Sequence, residues 1–314
     1  MIASVARRLS APLVLSGALM IAFSGCSLET WAVRQVSNLL TGDGSTADAG
    51  TVFTGEEDPE LVAQSLPFTM KLHESLLAVD TENAGLYLAT GRLFATYANA
   101  FVQGPAEELP NTEFAQRSSE LARAKRLYLR AREFVLTGLE LLHPGSRAGL
   151  LEGDLAATLA TLDPTVADYV YWVAASWLGA FTADQFDFEL ILTLQRAAAM
   201  LEQVNAWDPV YDNGGVHEIL ISYYGGLPAE LGGSKELAVS HFESATAASA
   251  GKKASPYLAL ATALAVPNQD REQFRDLLET ALAIELDIDA YRLINVLGQR
   301  HAAWLLAHEE DYFL

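Results

Sequence analysis

Cysteine is almost absent from this sequence of 314 residues. A single one, Cys26, rules out an internal disulfide and any multi-cysteine zinc or iron–sulfur site. Basic residues are scarce as well, 20 against 40 acidic, for a formal net charge of −20. That balance excludes nucleic acid as a partner, because phosphate binding needs clustered Lys and Arg to release counterions. Alternating stretches of β-branched residues are missing, so strands have no sequence support. No apolar run reaches the roughly 20 residues of a membrane-spanning helix. There is no Gly-x-Ser-x-Gly elbow, no His-Glu-x-x-His and no thiol besides Cys26. The chain therefore reads as a non-enzyme with neither cofactor nor metal. What it has is apolar material, 51% of its residues, enough for one or two ordinary domains.

The N-terminus reads as an address. Arg7 and Arg8 precede an apolar run from Leu13 to Phe23, and Phe23-Ser24-Gly25-Cys26 follows. This is the layout of a secretory signal over residues 1–25. The small residues before Cys26 resemble a bacterial lipobox, which makes Cys26 the lipidation site and the mature N-terminus; an ordinary cleaved signal with an incidental Cys is the alternative. Cleavage would remove two basic residues and no acid, taking the net charge to about −22, a body that anionic headgroups repel. The acyl chains, not the protein surface, would then hold the membrane, at about 0.8 kcal/mol per buried methylene. Ser27, rather than Asp, follows the Cys and points to periplasmic, outer-membrane placement.

Residues 26–55 form the lipidated N-terminus and a tether, with Thr41 to Thr51 small, polar and Gly-rich. A single domain over 56–314 is expected beyond it. Asp58 is placed to cap a helix with Pro59 in its first turn. From there apolar residues recur at spacings of three and four in 86–101, 121–142, 166–181, 190–207, 237–247, 257–264, 274–286 and 293–306. Breakers fall between these segments, at Gly104-Pro105, His143-Pro144-Gly145, Asp163-Pro164, Asp208-Pro209, Gly232-Gly233, Ser255-Pro256 and Pro267. Pro67 should kink its helix or split off a short leading turn. The expected architecture is all-α: stacked antiparallel helix pairs.

Those pairs carry a tetratricopeptide-like register, which predicts an α-solenoid. Ala124, Tyr128 and Ala131 match the second-helix spacing, as do Ala197, Leu201 and Val204 before Pro209, then Ala238, Phe242 and Ala245, and Phe274, Leu278 and Ala281. First-helix positions fall at Tyr87, Gly91 and Phe94, at Tyr171, Ala175 and Leu178, and at Tyr257, Ala261 and Leu264.

His217 and Glu218, in Gly214-Gly215-Val216-His217-Glu218, are the most suggestive polar pair. Either they line a ligand cavity or partner surface, or His217 ties the glycine turn to a neighbouring helix by hydrogen bonds. Tyr223, Tyr224, Trp172 and Trp177 bring aromatic surface to the inside of such a stack, for ligand contact or simply as core. The stretch from Gly225 through Pro228, Gly232 and Gly233 misses the phosphate-loop spacing and reads as an inter-helix loop, with Ser234 a cap. Arg123, Lys125, Arg126, Arg130 and Arg132 spread around one helix and read as a solvated face with acidic neighbours.

Several strings resemble the TatT family, the lipid-anchored, tetratricopeptide-like T components associated with some bacterial TRAP transporters. They include Asp58-Pro59-Glu60-Leu61-Val62, Ala124-Lys125-Arg126-Leu127-Tyr128-Leu129-Arg130-Ala131, Gly214-Gly215-Val216-His217-Glu218, Ser255-Pro256-Tyr257 and Trp304-Leu305-Leu306. Together they run from about residue 52 to the end. The resemblance implies an accessory periplasmic homotrimer that partners the solute-binding P component and helps deliver a small, hydrophobic ligand. A structural tetratricopeptide scaffold for envelope assembly, with no small ligand, is the alternative.

Overall fold

Asp58 and Pro59 begin a helix, as the sequence predicts. In the computed structural model, which describes residues 53–314, α1 spans Pro59–Leu77 and the Asp58 carboxylate accepts the Leu61 N–H at 3.0 Å. Every regular element among the described residues is helical. The signal segment, Cys26 and the tether up to Val52 lie outside the described residues. Pro67 does not divide α1, which continues as one element across it; the proline forgoes only its own bond to the carbonyl four residues back.

The next expected break is also absent. Helix α2 (Ala84–Ala98) runs through a π turn at Asn99–Gln103 into α3 (Gly104–Glu107), so Gly104-Pro105 lies within a continuous helical path. The wider turn lets the Gly104 N–H reach the Asn99 carbonyl. Pro105, which has no N–H to place, then follows without breaking the ladder.

Helix α4 (Phe114–Leu142) starts earlier than its apolar pattern and ends at the expected His143-Pro144-Gly145, where Gly145 takes φ 93°. Two short helices follow, α5 (Ser146–Leu151) and α6 (Leu155–Leu159), in a stretch whose periodicity is too brief to read. Then come α7 (Ala167–Ala183), α8 (Phe188–Trp207), α9 (Gly215–Gly226) and α10 (Lys235–Ala248). Ser234 caps α10 by accepting the Leu237 N–H at 3.3 Å. Helix α11 (Ser255–Leu260) continues into a second π turn, Ala261–Ala265, before α12 (Arg271–Leu282) and α13 (Arg292–Ala307). Helix α12 stops four residues short of the expected Leu286.

Long helices that neighbour one another in sequence pack side by side: α2 on α4, α4 on α7, α7 on α8, α9 on α10, and α12 on α13. Small residues set the closeness. A Cβ at Gly91 of α2 would overlap Val135 and lie 2.9 Å from the Ala131 carbonyl of α4. One apolar core extends from Met70 to Tyr223, and a second gathers Ala254, Phe274, Leu278, Ala302 and Phe313. The two ends of the described region meet. Val62 and Leu66 of α1 cluster with Leu293 of α13, Arg300 reaches Glu60 at 2.5 Å, and Arg292 donates to the Gly55 carbonyl at 2.9 Å.

The basic residues of α4 mostly find carboxylates, as expected of a solvated face: Arg123 pairs with Glu120, Lys125 with Asp184 and Asp187, and Arg130 with Glu74. Arg132 stands 3.8 Å from Glu133 and also lies over the Trp177 ring, 4.6 Å from its centroid.

Candidate functional site

Gly214, just before α9, closes a left-handed turn. Asp212 (φ 47°), Asn213 (φ 51°) and Gly214 (φ 93°) all take positive φ, a conformation that costs a side chain strain and Gly nothing. A Cβ on Gly214 would sit 3.0 Å from the Ala245 Cα of α10, and one on Gly215 would sit 2.7 Å from an Asp212 carboxylate oxygen. The turn is thus pressed between α10 and its own aspartate. Helix α9 leaves it with successive side chains aimed at different neighbours.

His217 is buried and bonded at both nitrogens. Its Nε2–H donates to the Pro209 carbonyl at 3.0 Å, and its Nδ1 lies 2.8 Å from His241 Nδ1 on α10. Burial pushes the His217 imidazole below its ordinary value, because the charged form would lose solvation. His217 thus ties the turn to α10 by hydrogen bonds and also borders a groove. His241 stacks on Tyr224, the ring centroids 5.4 Å apart and the planes 1° from parallel. The Tyr224 hydroxyl donates to Glu202 of α8 at 2.7 Å. The His241 ring beside Glu202 holds that carboxyl below the usual carboxylate range, with the Tyr224 hydroxyl adding to the effect.

Glu218, one residue on, turns to a different partner. It accepts Lys253 Nζ at 2.8 Å, and Lys253, only 4% exposed, also donates to the Asp212 carbonyl at 3.0 Å. Burial pushes the Asp212 carboxyl up, against the attraction of Lys253 and Arg92. Near it the Tyr211 hydroxyl donates to Asp168, and the Tyr211 ring packs 4.9 Å from Tyr171. Trp172 meets Tyr171 edge-on at 5.2 Å, with the Arg92 guanidinium 5.6 Å from its own ring.

The expected residues therefore divide among four places. His217 and Tyr224 join Glu202 and His241; Glu218 and Trp172 flank the Asp212 turn; Trp177, donating to Thr193 at 3.1 Å, packs with α4 and α8 away from both. Tyr223 secures the loop after α9. Its hydroxyl donates to the Leu231 carbonyl at 3.3 Å, while the Pro228 carbonyl accepts the Leu231 and Gly233 N–H groups and Gly232 takes φ 99°. Two grooves, each of about 490 Å³, flank the histidine pair. One runs along α8 and α9 past Ala198, Ala199, Glu202, Tyr223 and Tyr224, and the other past Asn205, Pro209, His217, Ser244 and Ala248.

Glu202, His241, Lys253, Tyr211 and Asp168 were not singled out from sequence. Each lies on another element from the residue it serves, and nothing in linear spacing joins them. Among the described residues no cluster of three or more His, Cys, Asp or Glu could hold a metal ion, and no helix is long and apolar enough to cross a membrane.

Residues 55–313 match the family model described as TRAP transporter T-component. The chain is also 36% identical over 303 residues to an uncharacterized protein of Treponema pallidum (strain Nichols), covering 93% of this chain and 94% of that one.

Proposed function

Because the chain belongs to the TRAP transporter T-component family, and so serves as an accessory component of such a transporter, we propose that it is a lipid-anchored periplasmic protein that binds the solute-binding P component and helps deliver a small, hydrophobic ligand. Cys26 carries the lipid, residues 26–55 act as the tether, and residues 56–314 fold as one tetratricopeptide-like solenoid that assembles as a homotrimer at the outer membrane. Burial of Ala124, Tyr128, Ala131, Ala197, Leu201, Val204, Phe274, Leu278 and Ala281 supports the solenoid reading, since these are the positions where that repeat packs helix on helix.

The observation that carries ligand handling is the groove of about 490 Å³ along α8 and α9, whose lining alanines and Tyr223 and Tyr224 are joined by Gln195, Glu202 and Gln203. Apolar surface with polar groups placed to orient a ligand suits a small, largely apolar solute. His217, Glu218 and Trp172 shape the turn beside it, and Trp177 braces α7 on α8.

The test is capture of the P component by the tagged full-length protein from native membranes, combined with thermal shift in the presence of that receptor's own solute. We expect co-purification and a rise in Tm, and Ala199→Trp, which fills the groove, should abolish the rise while leaving capture intact. Capture without any solute-dependent shift would leave the scaffold alternative in place. Absence of both would overturn the proposal.

A further inference from the structure

We propose that the turn between α7 and α8 is a membrane-contact tip: Phe186 and Phe188, with Leu192 behind them, enter a zwitterionic lipid surface and orient the body on it. This inference rests on the reading of Cys26 as the lipid anchor and deepens it, since the acyl chains hold the protein while the turn sets which end faces the bilayer.

Phe186 is 95% exposed, Phe188 70% and Leu192 68%. Phe188 and Leu192 lie four apart on α8 and so share a face, and Phe186 stands in the turn just before it. Scattered exposed apolar residues are ordinary, but three large ones side by side mark a contact surface. A loose loop could fold such side chains inward; this turn is held open. Lys125 of α4 donates to Asp184 at 2.8 Å and also to Asp187. Asp184 in turn accepts the Phe186 N–H at 3.3 Å through its carboxylate and the Asp187 N–H at 3.2 Å through its carbonyl, while the Asp187 carboxylate accepts the Leu190 N–H at 3.0 Å. The backbone is thus fixed with both rings outward, so little ordering remains to oppose their burial. The same contacts match the two aspartates with a cation, and Glu189 lies about 100° around α8 from Phe188.

Where the chain enters the body decides what covers this tip. Gly138 of α4 faces Ala84 and Tyr87 of α2 and Tyr169 of α7, whereas toward its start α4 meets Tyr97 through Arg123 and Gly179 through Tyr128. Both neighbours therefore run antiparallel to α4, and the start of α4, the π turn after α2 and the α7–α8 turn share one end of the bundle. Phe53 packs toward that end, in the cluster that also takes in Tyr97 and Phe101. The chain leading back to Cys26 thus enters there. An anchor attached at this end keeps the tip beside the lipid, where a high local concentration makes even weak insertion effective. Phe114, 73% exposed at the start of α4, belongs to the same end. With a formal charge of −20 the chain is repelled by anionic headgroups, so a surface without net charge is the one this tip fits.

Because the sole native thiol is the one that takes the lipid, a cysteine introduced elsewhere can be labelled alone. The test uses the lipidated full chain carrying Phe186→Cys, Phe188→Cys or, at the far end of α4, the half-exposed Leu142→Cys. Each is labelled with an environment-sensitive fluorophore and bound to phosphatidylcholine vesicles that contain nitroxide-labelled lipid, with flotation reporting the anchor separately. We expect all three to float, with blue-shifted emission and nitroxide quenching at 186 and 188 several-fold greater than at 142. Adding Phe188→Ser to Phe186→Cys should reduce the quenching. Flotation with equal quenching at 186 and 142 would overturn the tip and leave the anchor standing. A blue shift at 186 without nitroxide quenching would mean that a protein surface, such as a second copy of this chain, covers the turn, and would overturn it as well. Failure to float would remove the anchor, and the tip with it.

Discussion

Lys253 illustrates how one residue can be costly to remove without being catalytic. Its ammonium is almost fully buried, held by the Glu218 carboxylate and the Asp212 carbonyl, with the Tyr291 ring 5.6 Å away. Taking away one member of such a pair strands the other in a poorly solvated place. Lys253→Met is expected to destabilise the protein by about 3 kcal/mol in denaturant unfolding, and the double variant with Glu218→Gln should recover part of that loss. A full loss persisting in the double variant would show that the stem's packing, not the charge, matters. His217 was legible in the sequence as an unusual residue in a glycine turn. Its partner was not, because His241 sits on α10 among Ser240, Phe242 and Glu243, and only folding brings it opposite.

At the scale of elements, the caps were readable and the continuity of helices was not. Asp58 and Ser234 cap where the sequence placed them, because capping depends on residues three apart. Gly104-Pro105 was expected to interrupt a helix and did not, since a π turn can absorb one missing bond, and Pro67 splits no leading turn from α1. Asp187 holds two jobs at the start of α8: it accepts the Leu190 N–H at 3.0 Å and pairs with Lys125 of α4. Asp187→Ala should cost about 1–2 kcal/mol and Asp187→Asn less, because Asn still caps but cannot pair. Lys125 and the Leu190 N–H hold the Asp187 carboxyl below its ordinary 3.8. Its contribution is therefore complete above that value and is lost as pH falls through the lower folded value. Stability curves of D187N against pH should accordingly be flatter on the acid side than those of the parent.

At the largest scale, the consequential contact is the one between α1 and α13, at the two ends of the described region. Leu66 and Val62 of α1 pack with Leu293 of α13, and Arg300 bridges to Glu60. Two elements more than 200 residues apart thereby share one small core, reinforced on the other side by His301 and Glu108 at 2.8 Å. Leu66→Ala is expected to cost about 2–4 kcal/mol through the cavity it leaves. Its distinguishing mark is exchange: amides of α13 should lose protection together with those of α1. Loss confined to α1 would mean that the two ends are held independently.

The helical class, the caps and most segment boundaries were determined by the sequence alone, because apolar spacing and breakers act over a few residues. So was the small-residue register at Ala124, Ala131, Ala197 and Ala281, all fully buried. Tertiary structure alone decided which polar side chains meet. Glu202 with Tyr224 and His241, Lys253 with Glu218, and Asp168 with Tyr211 each join separate elements, and the short-range forces that form helices carry no information about which helix faces will touch. The π turns belong to the same category: whether a proline ends a helix or rides through it depends on what packs around it, a choice made only when the core closes.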